Sequence, residues 1–315
     1  MTVLLNLGGT IALSYEDGEP RDTGFQMLVG RGVRVIDVAP TSSNGLEWRH
    51  LRTLREAMLA NWRTGETRFV VTVGTDALEE VLYFLSLVRP PNTGIAVVGA
   101  MRPRSAPDSD GPLSLSLAVQ WLESRRAGGV VASCGGRLIE GRRVRKVFLN
   151  GWTFQPCMPA DEGLSPWTLS EHFRLVKRPP RVPILPVGVG LGVWLAESLR
   201  PGRFEGVVVE AFAAGDVPPA LVQPIRRLLS RHVPVVLSSR STPGRVEPLF
   251  PGIRGSSHEL LASGALSAGA LDSARARIRL LVALAARPHV PAASAFTAGQ
   301  DSAAPGPSSA FVTGD

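Results

Sequence analysis

Small polar residues follow three apolar, strand-like runs in the first quarter of the chain. They form the triplets Gly8, Gly9 and Thr10; Ser42, Ser43 and Asn44; and Gly74, Thr75 and Asp76. In an open parallel sheet, the loops that leave the carboxyl ends of the strands line the ligand crevice. A hydroxyl beside a carboxylate, as in Thr75 and Asp76, could therefore take part in nucleophilic or acid–base chemistry there. Any one triplet is more typical of a turn that caps the next helix, but three in consecutive crossovers favour a shared pocket.

The elements that must position these loops predict an α/β fold. Short apolar runs lie at 3–7, 33–39, 69–73, 95–99 and 129–133, with helical patterns between them near 46–64, 76–88 and 112–126. Runs that are apolar on both faces and alternate with helices are typical of a parallel sheet covered by helices. A second set contains the runs at 206–210 and 234–239 and a helix after VPPALVQPIRRLL at 217–229.

A Pro-rich passage at 179–186, PPRVPILP, divides the two sets. Proline resists both a helix and a central strand, so we place the domain boundary there. The predicted organisation is an N-terminal catalytic α/β domain over 1–178, a linker over 179–190, a C-terminal α/β domain over 191–288 and a disordered tail over 289–315. The tail is predicted because it has few large apolar residues.

Length and hydropathy indicate the class of protein. With 315 residues, 44% of them hydrophobic, the chain can bury a large core, and its length predicts two domains. No apolar run reaches the roughly 18 residues that a membrane-spanning helix requires, and no basic leader precedes the first strand. We therefore expect a soluble, cytoplasmic protein that does not bind a membrane.

The ionisable and sulfur-containing residues exclude several kinds of site. The net charge of +7 comes almost wholly from arginine, and no helix-turn-helix, RNA-binding or zinc-finger pattern accompanies it, so no nucleic-acid partner is expected. Cys134 and Cys157 form neither a metal-ligand spacing nor a disulfide framework and are expected to be packing residues. The histidines are scattered at His50, His172, His232, His258 and His289. We therefore expect no metal and no other cofactor.

Several ordered motifs resemble those of one family. LNLGGTIA at 5–12, TVGTDALEE at 72–80 and VVGAMRPRSAPDSDGPLSL at 97–115 are similar to the three N-terminal signatures of the bacterial-type L-asparaginase and glutaminase family. GRRVRK at 141–146 and segments at 210–246 and 265–286 extend the similarity over nearly the whole chain except the tail. The resemblance implies a larger flavodoxin-like or Rossmann-like N-terminal sheet, a smaller C-terminal parallel sheet, and a homodimer or homotetramer.

The resemblance also implies roles for individual residues. Thr10 matches the primary nucleophile, Thr75 and Asp76 match the second catalytic threonine and its acid, and Lys146 matches the lysine that pairs with them. Ser42 and Ser43 match the loop that holds the substrate's α-carboxylate and amine, and Asp76 also matches the group that binds that amine. The implied reaction hydrolyses a small-molecule amide through an acyl-threonine intermediate and releases ammonia.

The chemistry can be understood from the residues themselves. A threonine hydroxyl is a poor nucleophile near neutral pH unless a neighbour accepts its proton and donors stabilise the oxyanion. Backbone N–H groups around Gly9 and Gly74 could supply the oxyanion hole. Lys146 could relay the proton if burial lowers its pKa. Only Lys146 and Lys177 are lysines, so a lysine at 146 departs from the strong arginine bias of the chain; the alternative is an exposed cation on a basic hairpin.

Several positions depart from the family pattern. Val73 replaces a histidine, Val147 replaces a threonine, and an aromatic run, VFLNGWTFQPC at 147–157, replaces a hydroxyl-rich continuation. The family's Gly-Asn-Gly-Asn loop reads Ala-Ala-Gly-Asp at 213–216. Family members commonly place an activating tyrosine in the flexible lid, where Tyr15 is the candidate and an exposed loop aromatic is the alternative.

Three functions are compatible with this pattern. The first is an asparaginase-like amidohydrolase, because both threonines, the aspartate and the lysine are present. The second is an amidase of the same fold that acts on a bulkier amide in a specialised pathway, as the aromatic run and the 213–216 loop suggest. The third is a catalytically silent binding or scaffold protein, because polar groups are missing at Val73 and Val147.

Overall fold

A computed structural model of the protein describes residues 1–16, 19–22, 32–124, 128–156 and 167–297, without the side chains of residues 12–22. The strands are β1 (Thr2–Gly8), β2 (Leu13–Glu16), β3 (Glu19–Asp22), β4 (Val33–Thr41), β5 (Arg68–Thr72), β6 (Gly94–Val98), β7 (Gly129–Cys134), β8 (Arg137–Glu140), β9 (Val144–Phe148), β10 (Trp152–Pro156), β11 (Arg174–Leu175), β12 (Ile184–Pro186), β13 (Val207–Ala211), β14 (Val235–Ser239), β15 (Leu266–Ser267) and β16 (Ala286–Arg287). The helices are α1 (Trp48–Arg63), α2 (Leu78–Val88), α3 (Gly111–Glu123), α4 (Gly192–Ser198), α5 (Val222–Leu229), α6 (Ser257–Ala262), α7 (Ser273–Ala285) and α8 (Ala292–Ala295).

Two sheets carry the architecture. The larger has the order β4-β1-β5-β6-β7-β8, in which only β8 runs antiparallel to its neighbour, and the smaller has the parallel order β12-β13-β14-β15. Antiparallel pairs β2-β3, β9-β10 and β11-β16 lie outside them. The predicted α/β class, with a larger mostly parallel sheet and a smaller parallel one, is confirmed. The helix predicted after residue 229 instead lies within the quoted run, as α5.

Helices cover both faces of the larger sheet, which explains its continuously apolar strands. Alternate residues of β1, such as Leu5 and Leu7, pack with α1 and α2, whereas Leu4 packs on the opposite face with α3. Every residue of β1 is buried. Among the described residues, no helix has both the length and the apolar character needed to cross a bilayer.

Helix α7 joins the two sheets. It packs against α2 beside the larger sheet and against β13 and β14 of the smaller one. At its centre the buried guanidinium of Arg279 donates to the hydroxyl of Tyr83 on α2 (3.1 Å) and to the carbonyl of Ala295. Because these groups satisfy donors of a buried cation, they fix how α2, α7 and the segment after α7 sit together.

Two boundaries differ from the predicted organisation. The segment predicted to be a linker contains β12, an edge strand of the smaller sheet, because an edge strand tolerates proline on the side that makes no ladder bond. The tail was predicted to begin at residue 289, but the chain packs as far as 297, with Phe296 buried against the core of α7. Few apolar residues suffice there because the site that receives them is already apolar.

The strand order brings three loops to one edge of the larger sheet. The chain leaves β1 for β4 on one side and returns past β1 to β5 on the other, so the carboxyl ends of β1 and β5 form the topological switch point at which such sheets bind ligands. The buried amide of Asn6 secures these ends. It donates to Asp37 of β4 (2.8 Å) and accepts from the Thr72 hydroxyl of β5 (2.9 Å) and the Gly8 N–H (2.7 Å).

Glycines allow the loops to touch. Gly9 has φ +92°, and a Cβ there would lie 2.4 Å from the backbone nitrogen of Gly74. A Cβ on Gly74 would in turn lie 2.7 Å from the Cβ of Ser43. Real Cβ atoms do not approach backbone so closely, so only glycine permits this contact.

Replacement of Gly9 by alanine should destabilise the fold far more than the same change at Gly65. Both glycines have positive φ, but a Cβ at Gly65 meets no heavy atom of the described structure within 4 Å. We expect Gly65→Ala to lower the free energy of unfolding by about 1 kcal/mol and Gly9→Ala by at least about 3 kcal/mol, as measured by urea denaturation. Equal losses would contradict the contact.

Phe296→Ala should lower the free energy of unfolding by about 3 kcal/mol, because the ring is buried against α7. The matched control is Phe250→Ala, whose side chain is exposed and whose loss should change stability by less than about 0.5 kcal/mol. Thermal and urea midpoints of both variants give the comparison. A neutral Phe296 variant would mean that residues 289–297 are a tail after all.

Candidate active site

The lysine of the β9–β10 hairpin reaches the loop that follows β5. Lys146 Nζ donates to Thr75 Oγ1 at 2.9 Å and to Asp76 Oδ1 at 2.6 Å. The Lys146 side chain is only 16% exposed, whereas that of Asp76 is 72% exposed. The cluster therefore has a partly buried ammonium behind it and a carboxylate that faces the open crevice.

The charge of Asp76 is stabilised where it lies. The hydrogen bond from Lys146 lowers the pKa of the Asp76 carboxyl below its usual value, with a smaller contribution from the Ser43 hydroxyl, which donates to Oδ2 at 3.2 Å. Ser43 belongs to the loop after β4, so the carboxylate ties two loops of the switch point together. An ionised, exposed carboxylate in this place is suited to binding a cation, such as the ammonium of a ligand.

A network of charged side chains supports the strand that carries Lys146. The backbone N–H of Lys146 donates to Oε1 of Glu79 on α2 at 2.8 Å. The other oxygen of Glu79 forms an ion pair with Arg275 on α7 (3.2 Å), a side chain that is 4% exposed. Arg275 also pairs with Asp272 and donates to the carbonyl of Val144 on β9, and Arg145 bridges Asp272 and Glu79. The strand that carries the lysine is thus secured by two helices.

The other predicted residues are distributed as follows. Thr10 begins a 3-10 helix over Thr10–Ala12 and is half-buried, and its hydroxyl makes no hydrogen bond to any described residue. Its loop meets the Thr75 loop through the contact of Gly9 with Gly74. The hydroxyl of Ser42 donates to Asn44 in its own loop at 2.6 Å rather than toward Asp76. Tyr15 lies on β2, but its side chain is outside the described residues.

Val73, Val147 and the 213–216 loop make none of the cluster's hydrogen bonds. Val73 is fully buried in the core beneath the loop. Val147 pairs with Thr153 across the hairpin. In the 213–216 loop, the carboxylate of Asp216 accepts the N–H of Ser257 at the start of α6 (2.8 Å). This hydrogen bond ties the 213–216 loop to the start of α6.

Three contributors were not predicted from the sequence. Glu79 was quoted within a motif but was not assigned a role, and Arg275 is remote in sequence from the lysine that it supports. Trp152 places its ring centroid 5.4 Å from Lys146 Nζ, a cation–π distance. The sequence signal for Glu79 was the acidic pair Glu79–Glu80 one turn beyond Asp76. Such a pair is equally typical of the first turn of a helix.

Other reactive groups in the described chain do not form a rival centre. Burial raises the pKa of the Cys134 thiol to about 12, so it remains protonated and is a poor nucleophile at neutral pH. Cys157 lies outside the described residues. Within the ranges that the structure covers, no three His, Cys, Asp or Glu side chains are grouped so that they could hold a metal ion.

Comparisons with known proteins identify the family. Residues 2–155 match the family model "Asparaginase, N-terminal", and residues 181–293 match "Glutaminase/Asparaginase C-terminal domain". A protein named probable L-asparaginase from Deinococcus radiodurans is 32% identical over 304 residues, which cover 89% of this chain and 92% of the relative. An L-asparaginase from Bacillus licheniformis is 28% identical over 267 residues, with coverage of 79% and 82%.

A solved structure extends the comparison to the fold. The crystal structure titled probable cytoplasmic L-asparaginase from Campylobacter jejuni matches with a TM-score of 0.75 at 25% identity, over 90% of this chain and 94% of that one. Both family models, the relatives and the shared fold indicate the same family. The chain belongs to the asparaginase family.

Proposed function

We propose that the chain is an asparaginase-like amidohydrolase that hydrolyses the side-chain amide of L-asparagine or a related amide through an acyl-threonine intermediate and releases ammonia. The observation that carries this proposal is the hydrogen bonding of Lys146 Nζ to both Thr75 and Asp76, beside the loop that presents Thr10. Membership in the asparaginase family supports the reaction class.

Thr10 is the proposed nucleophile. It stands at the carboxyl end of β1 with a hydroxyl that no described neighbour engages, on the loop in contact with Gly74. Attack by its oxygen on the amide carbon forms an ester and expels the nitrogen as ammonia, and water then opens the ester. The N–H groups of the glycine-containing loops around Gly9 and Gly74 are the proposed donors to the oxyanion.

Thr75, Lys146 and Asp76 form the proposed proton relay. As an ammonium, Lys146 can only donate hydrogen bonds, as it does to both neighbours here. Once it has lost a proton to solvent, its nitrogen can accept the proton of the Thr75 hydroxyl through the same contact while that hydroxyl takes the proton that Thr10 releases, which leaves Lys146 as an ammonium. The ammonium can afterwards return a proton to the departing nitrogen.

The α-amino group of the substrate is proposed to pair with Asp76, whose carboxylate is ionised and exposed. Ser42 and Ser43 are proposed to hold the α-carboxylate, and Tyr15 is retained as the residue that assists Thr10. The relay is formed without polar side chains at Val73 and Val147, and this favours an active enzyme over a silent scaffold. By family membership we further propose a cytoplasmic homodimer or homotetramer.

Thr10→Ala should lower kcat by at least about 1,000-fold, because the ester can no longer form. Acid quenching during turnover, followed by peptide mass mapping, should locate the acyl group on Thr10. The matched control is Thr53→Ala, which removes an exposed helix hydroxyl that donates to a backbone carbonyl and should leave kcat unchanged. An acyl group on Thr75 would reverse the assignment of the two threonines.

Lys146→Met should raise the pKa of Asp76 toward its ordinary value, because the lysine hydrogen bond is the main cause of the lowered value. Carboxyl NMR titration measures this directly, and Lys177→Met serves as the control. A depressed carboxyl pKa stabilises the fold above the unfolded value near 3.8. That contribution is lost as pH falls through the folded pKa, so the parent should lose more stability than the variant on acidification below about pH 4. An unchanged Asp76 pKa would show that the ion pair is absent in solution.

A further inference from the structure

A cavity of about 450 Å³ adjoins the candidate active site. Met101, Leu113, Trp152 and Phe154 supply its apolar lining, and polar side chains that include Arg102, Asp108 and Asp110 line it as well. Its volume lies within the range of roughly 300–1,000 Å³ that is common for small-molecule sites. The proposed reaction on a free amino-acid amide assigns no role to this space.

The cavity shares a wall with the catalytic cluster. Trp152 lines it, and the same ring lies 5.4 Å from Lys146 Nζ. In the hairpin register, Phe154 faces Lys146 directly. The loop after β6 completes the connection, because an added Cβ on Gly99 would touch the Thr75 side chain at 3.2 Å and one on Gly111 would touch Ile11 at the same distance.

The wall is apolar, exposed and ordered. The Trp152 side chain packs edge to face with Phe148 at 5.3 Å between ring centroids, and the two residues are 59% and 65% exposed. Leu113, which also lines the cavity, is 56% exposed. An exposed apolar surface that is contiguous with a reactive cluster is typical of a ligand-binding groove. Aromatic rings held in place by each other lose little entropy when a ligand binds.

We propose that this cavity binds an apolar substituent, best an aryl group, on the leaving nitrogen of the amide. The chain is then a hydrolase of N-substituted side-chain amides as well as of the primary amide. This inference rests on the proposed function, because the group that returns a proton to the leaving nitrogen must lie within hydrogen-bond reach of it. With Lys146 in that role, a substituent on the nitrogen meets Trp152, the ring that lies over Lys146.

The bond changes are those of the proposed reaction with another leaving group. The oxygen of Thr10 forms an ester bond to the amide carbon as the C–N bond breaks. The nitrogen takes the proton that the hydroxyl gave up, by way of Lys146, and leaves as an arylamine instead of ammonia. Water then adds to the ester carbon, which frees the carboxylic acid and returns a proton to Thr10.

The test compares L-asparagine with the β-anilide of L-aspartate as substrates. The parent should hydrolyse both. Leu113→Asp places a charge in the apolar wall and should lower kcat/KM for the anilide by at least ~10-fold while the value for asparagine stays within about two-fold. The matched control is Leu249→Asp, an exposed leucine that does not line the cavity and should affect neither substrate.

The outcomes separate the two proposals. If asparagine is hydrolysed but the anilide is not, the cavity does not bind the aryl group, although the proposed function stands. The same conclusion follows if Leu113→Asp lowers kcat/KM equally for both substrates. If neither substrate is hydrolysed, the proposed function fails. The role of the cavity is then tested by measuring the affinity of both compounds by calorimetry. Tighter binding of the anilide than of asparagine, lost in Leu113→Asp, supports the cavity, and equal affinities overturn it.

Discussion

The ion pair between Lys146 and Asp76 is the interaction on which the site depends. It joins a hairpin that lies outside the main sheet to a loop at the centre of that sheet, and it brings the Thr75 hydroxyl into the same contact. Alone, a pair with one exposed partner would contribute little to stability. The pair matters because of its position. It holds the Lys146 nitrogen against the Thr75 hydroxyl, to which that nitrogen donates a hydrogen bond as an ammonium and from which it can accept one when deprotonated.

Helix α7, which packs against the smaller sheet, helps to hold Lys146 in place. The strands of that sheet contribute no residue to the cluster. Helix α7 supplies Arg275, which binds Glu79, and Glu79 accepts the backbone N–H of Lys146. Removal of Arg275 would leave two partly buried carboxylates with Arg145 as their remaining cation, and the loss of one partner of a buried charge network is destabilising. The arrangement explains why a reaction at the edge of one sheet should be sensitive to changes in a helix that packs on the other.

The aromatic hairpin distinguishes this chain from the hydroxyl-rich pattern that its motifs resemble. Trp152 occupies the side of Lys146 that faces the cavity, where a cation–π contact replaces polar neighbours. This exchange keeps the ammonium in place while it makes the adjoining surface apolar. The aromatic residues of the hairpin thus alter the chemistry of the space next to Lys146, while its hydrogen bonds to Thr75 and Asp76 are present.

The sequence by itself determined the α/β class, the two sheets and the three polar loops, because apolar periodicity and turn residues are local signals. It also placed Thr75, Asp76 and Lys146 in one family pattern. Only the tertiary structure decided that Glu79 and Arg275 support the lysine, that Phe296 belongs to the core and that Trp152 borders a cavity. Each of these depends on which surfaces, distant in sequence, meet when the helices pack, and such long-range pairing leaves no periodic trace in the chain.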